Sequence, residues 1–359
     1  MDERWTVSTS STHPPAASGL MCDDPCAVAA WLRARGERVE GDVTIARVGF
    51  GQSNITTIVT AADGWQWVMR EPPPGNHAES AHDVAREARI VSSLAGSDIP
   101  VPRVIGTGTA PGGAAFFVME RVSGAPLEGE GDAAALAPPA RYELGLRVIH
   151  TLARLHTLDP AGVGLGELGS VSATPYVQRQ IRRLSATWER VGQSSDHDEG
   201  WHGVRTRLAA GAPLGAPVVI MHGDFRLSNL LVQGSRITAV LDWELCTLGD
   251  PLADLAWLLD DWRQPDEQSI SMPSPTRAGG FPDRATMVDE YCRATGFDVS
   301  RIGYYRGFSQ WRAATLLQGV VARRRSGALG SHGDLDLNLL DHSIATLLAT
   351  AATDLMAAT

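Results

Sequence analysis

The sequence predicts an α+β protein with a small β-rich N-terminal lobe and a larger, mainly helical C-terminal lobe. Three observations support this prediction. Short apolar runs rich in β-branched and aromatic residues dominate the first third of the chain. The stretch RVSGAPLEGEGD (121–132) then interrupts regular structure. Helical periodicity dominates after about residue 139. The length of 359 residues fits two lobes of this kind.

The first residues favour a disordered leader. The segment MDERWTVSTSSTHPPAASGL begins with acidic residues and contains no apolar run, so it does not resemble a secretion signal. We therefore predict a leader over residues 1–24, an N-terminal lobe over 25–122 and a C-terminal lobe over 123–359. The default compartment for such a chain is the cytoplasm. The four scattered cysteines form neither a disulfide framework nor a zinc pattern.

Charge and hydropathy exclude two classes of partner. The formal net charge is −10, which argues against a general nucleic-acid-binding protein, because such proteins carry a basic face. No stretch approaches the roughly 20 apolar residues of a membrane-spanning helix. All 31 basic residues are arginine and none is lysine. Any chemistry that usually employs lysine must here employ arginine.

The N-terminal lobe is predicted to contain a β-hairpin flanked by helices. The pattern ITTIV (55–59), the turn AADG (61–64) and WQWVMR (65–70) is typical of two antiparallel strands. We take 55–59 as the first strand of the chain. The other predicted elements are a helix at 25–35, a helix at 79–95, a hairpin loop at 105–113 and a buried strand at 114–120.

The C-terminal lobe is predicted to contain a long helix at 141–158 and a second pair of strands. The run NLLV (229–232) and the run RITAVLD (236–242) are joined by a turn at 233–235. Helices fill most of the remainder. Residues 263–283, rich in Pro, Ser and Gly, are predicted to form a flexible loop.

Two carboxylates and an amide around these strands form a pattern that recurs in phosphoryl-transfer enzymes. Asp224 follows the apolar run VVIM closely, Asn229 comes five residues later, and Asp242 ends the next strand. An aspartate in the first position can accept the proton of an attacking hydroxyl. Amide and carboxylate oxygens in the other two positions are suitable ligands for Mg²⁺. The alternative is that residues 222–224 form a turn and that Asp242 caps a helix.

Two features of the N-terminal lobe point in the same direction. Gly49, Gly51 and Ser53 lie in VGFGQSN (48–54), where the backbone could approach a phosphate closely; a plain hairpin turn is the alternative. Glu87 shares a helical face with apolar residues, and a carboxylate on a buried face needs a partner. We expect Arg70, at the end of a neighbouring strand, to be that partner. The alternative is an exposed Glu87 beside Arg86 and Arg89.

These motifs resemble the aminoglycoside phosphotransferase and choline kinase-like family, which shares the protein-kinase-like two-lobed fold. The resemblance covers roughly residues 40–330. HGDFRLSNLL (222–231) is similar to the catalytic loop of the family, and LDWELCTLGDPLADLAW (241–257) is similar to its metal-binding segment. The second segment is most similar to the branch that includes the kinase-like domain of acyl-CoA dehydrogenase family members 10 and 11.

The resemblance implies a role for each matching residue. Asp224 would be the catalytic base, and Asn229 and Asp242 would hold Mg²⁺. Arg70, paired with Glu87, would contact the phosphates of ATP, in a position where most members of the family carry lysine. The backbone around Glu120 and Val122 would bind adenine. Asp254 would brace the catalytic loop.

The implied function is an ATP- and Mg²⁺-dependent kinase that phosphorylates a hydroxyl of a small molecule. We favour a metabolic acceptor such as a hydroxyacyl-CoA. An aminoglycoside or macrolide antibiotic kinase and a regulatory pseudokinase remain alternatives. Candidate substrate-contacting residues are Glu244, Asp260, Trp262 and Trp311. For the acidic pair at 260–261 the alternative is a solvated helix end, and for the tryptophans it is core packing. The oligomeric state does not follow from the sequence.

Overall fold

The computed structural model describes residues 19–48, 54–73, 83–168, 174–192, 195–326 and 336–357. The chain divides into two compact units. The first comprises residues 1–124 together with the short segment 238–244. The second comprises residues 125–237 and 245–359. A segment from the middle of the chain thus belongs to the N-terminal unit.

The first unit is built on an antiparallel sheet of five strands in the order β1-β2-β3-β5-β4. The strands are β1 (Val43–Val48), β2 (Ile55–Ala61), β3 (Gln66–Glu71), β4 (Val104–Thr109) and β5 (Ala115–Glu120). The helices are α1 (Pro25–Arg33) and α2 (Val84–Leu94). The predicted hairpin is confirmed as β2 and β3, and the predicted strand at 114–120 is confirmed as β5.

Two edge strands of this sheet were not predicted from the sequence. The prediction that the first strand begins at Ile55 is wrong, because β1 precedes it and pairs with β2. The segment 105–113 is not only a hairpin loop, because it includes most of β4. Both strands lie at the edges of the sheet and carry Thr, Arg or Gly at partly exposed positions. An edge strand pairs with a neighbour on one side only, and its residues are weakly apolar. The alternation of apolar and polar residues is therefore difficult to recognise in its sequence.

The predicted disordered leader is also wrong at its C-terminal end. Met21 and Cys22 are buried in the core of the first unit. Their backbone N–H groups donate to the carboxylate of Glu71, at 2.8 and 3.0 Å. Glu71 itself is fully buried, so these two donors satisfy a charge that would otherwise be costly to bury. Residues 1–18 lie outside the described residues.

Helix α2 begins where its capping residue predicts. The side chain of Asp83 accepts a hydrogen bond from the backbone N–H of Arg86 at 2.8 Å, which satisfies one of the free donors of the first turn. Of the predicted helix at 79–95, the described part is helical from Val84 to Leu94. Its buried face matches the prediction and includes Val84, Glu87, Ala88, Val91 and Leu94.

The second unit is mainly helical. Its helices are α3 (Glu130–Ala134), α4 (Pro138–Thr157), α5 (Tyr176–Val191), α6 (Asp198–Ala210), α7 (Pro251–Asp261), α8 (Arg284–Thr295), α9 (Ile302–Arg325) and α10 (Leu337–Ala357). Its short strands β6 (Val219–Met221) and β9 (Thr247–Gly249) pair antiparallel. The predicted turn at 233–235 joins β7 (Leu230–Gln233) to β8 (Arg236–Val240) in a two-stranded sheet. The predicted long helix is confirmed as α4.

The segment 263–283 is packed more tightly than its composition suggests. It contains a short 3-10 turn (Pro275–Ala278), and the side chains of Ser274 and Thr276 are buried. The Oγ1 atom of Thr276 donates to the carbonyl of Arg263 at 2.8 Å. Side-chain hydrogen bonds of this kind replace regular structure and hold an irregular segment in place.

Within the described residues, no helix has both the length and the apolar character needed to cross a membrane.

Candidate active site

The catalytic-loop motif follows β6, whose three residues are all buried. Immediately after it, the carboxylate of Asp254 accepts hydrogen bonds from the backbone N–H groups of His222 and Gly223, at 2.6 and 2.8 Å. Asp254 lies in the first turn of α7, which begins at Pro251 and is capped by the side chain of Asp250. The predicted brace between this helix and the loop is therefore present.

Asp254 is stabilised as a carboxylate although it is buried. Burial alone would raise its pKa, but hydrogen bonding and charge from His156 and the N–H of Gly223 lower it below the ordinary value. The ring of His156 lies between Asp254, 3.4 Å from Nε2, and the hydroxyl of Tyr291, 2.6 Å from Nδ1. His156 is thus a buried histidine whose two ring nitrogens both have partners.

We expect Asp254→Asn to destabilise the fold by about 2–4 kcal/mol, because an amide cannot accept both N–H donors and face His156 as a charged carboxylate does. Urea unfolding at pH 7 measures this loss. The pKa of Asp254 is lower when folded than when unfolded. Its contribution to stability is therefore complete above the ordinary Asp pKa and disappears as the pH falls below that value. The stability difference between wild type and variant should narrow in acid; a constant difference would contradict this account.

Gly223 is required by the backbone between β6 and Asp224. Its φ angle is 86°, in the left-handed region that favours glycine. A Cβ atom at this position would lie 2.7 Å from the carbonyl oxygen of Leu245. At Gly223 the loop thus approaches the second motif, at Leu245, too closely for a side chain.

The carboxylate of Asp224 is held from two sides. Oδ1 accepts a hydrogen bond from the indole N–H of Trp257 at 2.7 Å. The side-chain Nδ2 of Asn229 donates to Oδ2 at 2.9 Å and to the Asp224 carbonyl at 2.8 Å. The chain therefore returns within five residues and brings the side chain of Asn229 onto Asp224. Asp224 itself is only partly buried.

Trp257→Phe should impair the action of Asp224 without disturbing the core. Phenylalanine keeps an aromatic ring but removes the N–H donor to Oδ1. We expect kcat to fall about tenfold, because the carboxylate loses a hydrogen bond that orients it. The matched control is Trp262→Phe, which removes an indole N–H that donates to the carbonyl of Pro282 at 2.8 Å. An equal loss of kcat in both variants would contradict a positioning role.

In the first unit, the guanidinium of Arg70 forms ion pairs with two carboxylates. Its guanidinium lies 2.5 Å from Glu87 and 3.3 Å from Asp242. Arg70 and Glu87 are both buried, so the predicted ion pair exists and the alternative of an exposed Glu87 is wrong. Burial raises the pKa of Glu87 to about 7, against the opposing effect of Arg70. Burial would lower the pKa of Arg70, but Glu87 and Asp242 outweigh it and keep the guanidinium charged.

Asp242 has an unusual backbone. Its φ angle is 63°, and it is the one non-glycine residue with positive φ in the described part of the chain. This conformation costs free energy for a residue with a Cβ atom, and such strain is concentrated at functional sites. The segment after β8 thus turns sharply at Asp242, whose Oδ1 is directed at Arg70.

The oxygen donors of Asn229 and Asp242 suit Mg²⁺. Asn229 uses Nδ2 for both of its hydrogen bonds to Asp224, which leaves its side-chain oxygen as the atom suited to a cation. The side chain of Asp242 is about one-third exposed. In the described ranges, no group of three or more His, Cys, Asp or Glu side chains could hold a metal ion. The assignment of Asn229 and Asp242 to Mg²⁺ stays a prediction.

The other residues predicted to bind a nucleotide are only partly described. Gly49, Gly51 and Ser53 lie outside the described residues. Glu120 ends β5, where its N–H donates to the carbonyl of Arg103 at 2.9 Å. Val122 follows the strand and is half-buried. The assignment of these positions to adenine and phosphate binding stays a prediction.

Three of the four residues that were predicted to contact the substrate instead contact other residues of the protein. Asp260 is not a solvated helix end: it is buried and lies 3.1 Å from Arg306. Trp262 is buried against Phe281, and Trp311 is fully buried against Trp201. These two assignments are corrected to core packing. The backbone carbonyl of Glu244 accepts a hydrogen bond from Arg86 at 3.2 Å, and a substrate role for its side chain stays a prediction.

Two contacts near Asp224 were missed by the sequence analysis. Trp257 is not among the predicted site residues, yet it donates to Asp224. Arg312, from α9, donates to the carbonyl of Gly223 at 2.9 Å, and its guanidinium carbon lies 4.2 Å from the ring centre of Trp257. No local pattern marks either residue, because both act through contacts with residues distant in sequence.

Two acyl-CoA dehydrogenase family members are among the proteins that are similar in sequence to this chain. Acyl-CoA dehydrogenase family member 10 of Mus musculus is 30% identical over 330 residues, which cover 89% of this chain and 30% of that protein. Acyl-CoA dehydrogenase family member 11 of Homo sapiens is 30% identical over 331 residues, covering 89% of this chain and 41% of that protein. The chain thus spans about a third of the length of these relatives.

Solved structures show the same fold. A candidate aminoglycoside phosphotransferase from Ralstonia eutropha is 27% identical, with a TM-score of 0.74 over 93% of this chain and 98% of that one. An aminoglycoside phosphotransferase in complex with ADP and hygromycin B is 16% identical, with a TM-score of 0.59 over 90% and 98%. These neighbours establish the protein-kinase-like fold, in agreement with the sequence prediction. The phosphotransferase enzyme family (APH) matches residues 44–305, and the chain belongs to this family.

Proposed function

We propose that this protein is an ATP- and Mg²⁺-dependent kinase that transfers the γ-phosphate to a hydroxyl of a small molecule. Membership of the phosphotransferase family supports a small-molecule kinase. The observation that carries the finer proposal is the environment of Asp224. Its carboxylate is oriented by Trp257 and Asn229, and its loop is braced by Asp254. A carboxylate held in this way can orient an acceptor hydroxyl and take its proton.

The remaining roles follow from the chemistry of each group. Asp224 accepts the proton of the hydroxyl as the oxygen attacks the γ-phosphorus and the bond to the β–γ bridging oxygen breaks. Asn229 and Asp242 would each supply an oxygen ligand to Mg²⁺, and the bound cation would offset charge on the phosphates. Arg70 supplies a guanidinium for the phosphates, and Glu87 holds it in position. The proposal assigns Gly49, Gly51 and Ser53 to the phosphates and Glu120 and Val122 to adenine.

A metabolic hydroxyl, such as that of a hydroxyacyl-CoA, is the proposed acceptor. The supporting finding is the pair of relatives named acyl-CoA dehydrogenases, which match 89% of this chain at 30% identity. The solved aminoglycoside and macrolide kinases are less similar, at 16% and 19% identity. An antibiotic kinase is the second candidate. The structure neighbour from Ralstonia eutropha favours it, because it is assigned to that class.

ADP release tests this proposal. The assay contains Mg²⁺-ATP or Mg²⁺-GTP and compares hydroxyacyl-CoA thioesters with aminoglycosides and macrolides. We expect turnover on the thioesters that is lost without Mg²⁺. Turnover on the antibiotics alone would replace the metabolic proposal by the resistance function. Nucleotide binding without turnover on any acceptor would instead indicate a pseudokinase.

A further inference from the structure

Three arginines of the second unit surround one tyrosine at the base of the catalytic loop. Tyr176 and Arg179 belong to the first turn of α5, and Arg183 lies on the same helical face one turn later. Arg312 belongs to α9, which packs against α5. The guanidinium carbon of Arg179 lies 5.9 Å from the ring centre of Tyr176. Burial raises the pKa of Tyr176; Arg312, Arg183 and Arg179 lower it, and the carboxylate of Asp254 raises it.

Tyr176 connects these arginines to the catalytic loop. Its ring packs against Gly249, where an added Cβ atom would lie 2.7 Å from it. Gly249 belongs to β9, which pairs with Val219 of β6, directly before the loop. Arg312 reaches the loop itself through its hydrogen bond to the carbonyl of Gly223. The arginines therefore extend from beside Asp224 outward along α5.

These three arginines differ from the others near Asp224 in their partners. No carboxylate within 4.0 Å pairs with Arg179, Arg183 or Arg312 in the described part of the chain. Among the described residues, Arg179 donates to a backbone carbonyl, that of Thr174, at 2.7 Å. The absence of a direct ion pair at these three arginines is unexpected in a chain with a formal net charge of −10.

The acidic residues on the other side of Trp257 are compensated. A small pocket there is lined by Arg226, Trp257, Asp260 and Asp261, among others. Asp260 pairs with Arg306, and Asp261 lies 3.2 Å from Arg226. The carboxylates that a polycationic acceptor would require are thus already paired with arginines. By contrast, Arg179, Arg183 and Arg312 have no such carboxylate partner among the described residues.

We propose that Arg179, Arg183 and Arg312 form a subsite for an anionic group of the acceptor. This inference rests on the proposed kinase function and specifies the acceptor as a hydroxyl compound that also carries a phosphate or carboxylate. Arginine donates paired hydrogen bonds to both groups, and the row of guanidinium groups beside Asp224 orients the acceptor with its hydroxyl at that carboxylate. The two sources of anionic charge are the phosphates of a coenzyme A ester and the carboxylate of a free hydroxy acid.

Kinetics with three acceptors test the subsite. The acceptors are a hydroxyacyl-CoA, the corresponding free hydroxy acid and the neutral N-acetylcysteamine thioester of the same acid. We expect Arg183→Gln to raise the KM of the anionic acceptor about tenfold and to leave the KM of the neutral thioester unchanged. The anionic acceptor whose KM rises identifies the source of the charge. Arg183→Lys should keep part of the affinity that Arg183→Gln loses.

Arg182→Gln is the matched control, because it removes the same charge from an exposed neighbouring position of α5. An equal rise in KM in this control, or an equal effect on the neutral thioester, would overturn the proposal. Calorimetry with coenzyme A, in the presence of Mg²⁺ and AMP-PNP, provides a readout that does not require turnover. If no acceptor is phosphorylated, the proposed function fails; the subsite still stands if Arg183→Gln weakens coenzyme A binding and Arg182→Gln does not. Unchanged binding and unchanged KM would overturn it.

Discussion

Asp224→Asn is expected to reduce kcat for phosphoryl transfer by about 10²–10⁴-fold, the range typical of a lost general base. Asparagine has nearly the same shape and can still accept the hydrogen bond from Trp257. The loop should keep its conformation, because its brace from Asp254 does not involve this side chain. The nucleotide affinity and the unfolding free energy should therefore change little while turnover is lost.

The control for this variant is Asp266→Asn, which makes the same chemical change at an exposed position of the second unit. Single-turnover measurement of ADP formation, together with calorimetric titration of AMP-PNP, separates chemistry from binding. Near-normal kcat in Asp224→Asn would exclude Asp224 as the base. A large loss of nucleotide affinity would instead assign it a structural or metal-binding role.

Asp242→Asn should weaken the activation of the enzyme by Mg²⁺. A neutral amide binds a hard divalent cation much more weakly than a carboxylate, so we expect kcat/KM to fall by roughly 10²-fold or more and the Mg²⁺ concentration for half-maximal activity to rise. Asparagine is the appropriate replacement because it tolerates the left-handed φ of 63° at this position. Alanine would add backbone strain to the loss of the ligand.

Mg²⁺ titrations of ADP release measure this effect, with Asp98→Asn, at an exposed position of the first unit, as the control. Asp242→Asn also removes a charge partner of Arg70. The Arg70–Glu87 pair remains, so the unfolding free energy should fall by only about 1 kcal/mol. A Mg²⁺ response like that of the wild type would rule out Asp242 as the metal ligand.

The interior of the fold was more predictable than its edges. The central strands β2, β3 and β5 carry dense apolar and β-branched patterns, and α2 shows a clear periodic face with Glu87 on it. The edge strands β1 and β4 carry Thr, Arg and Gly instead, because one side of an edge strand needs no buried partner.

At the candidate site, the spacing of the motif residues predicted the catalytic loop but not the distant side chains that hold it in place. The five-residue interval from Asp224 to Asn229 predicts a tight return of the chain, and the two side chains are hydrogen-bonded. The indole of Trp257 lies 33 positions after Asp224 in the sequence, and Arg312 lies 89 positions after Gly223. Such contacts depend on how α7 and α9 pack. Tryptophan is also common in cores, so its appearance in the sequence did not distinguish Trp257 from Trp262.

The buried carboxylate of Glu71 has a practical consequence for anyone who shortens this chain. The family match begins at residue 44, so a protein trimmed to the matched range would lack Met21 and Cys22, whose N–H groups satisfy Glu71. Glu71 immediately follows Arg70 on β3, so an unsatisfied charge there would disturb the strand that carries the proposed phosphate-binding arginine. Trimming at residue 305 would also remove α10 and all but the first four residues of α9, which pack against each other. Expression limits for a catalytic fragment are therefore better taken from these contacts than from the extent of family similarity.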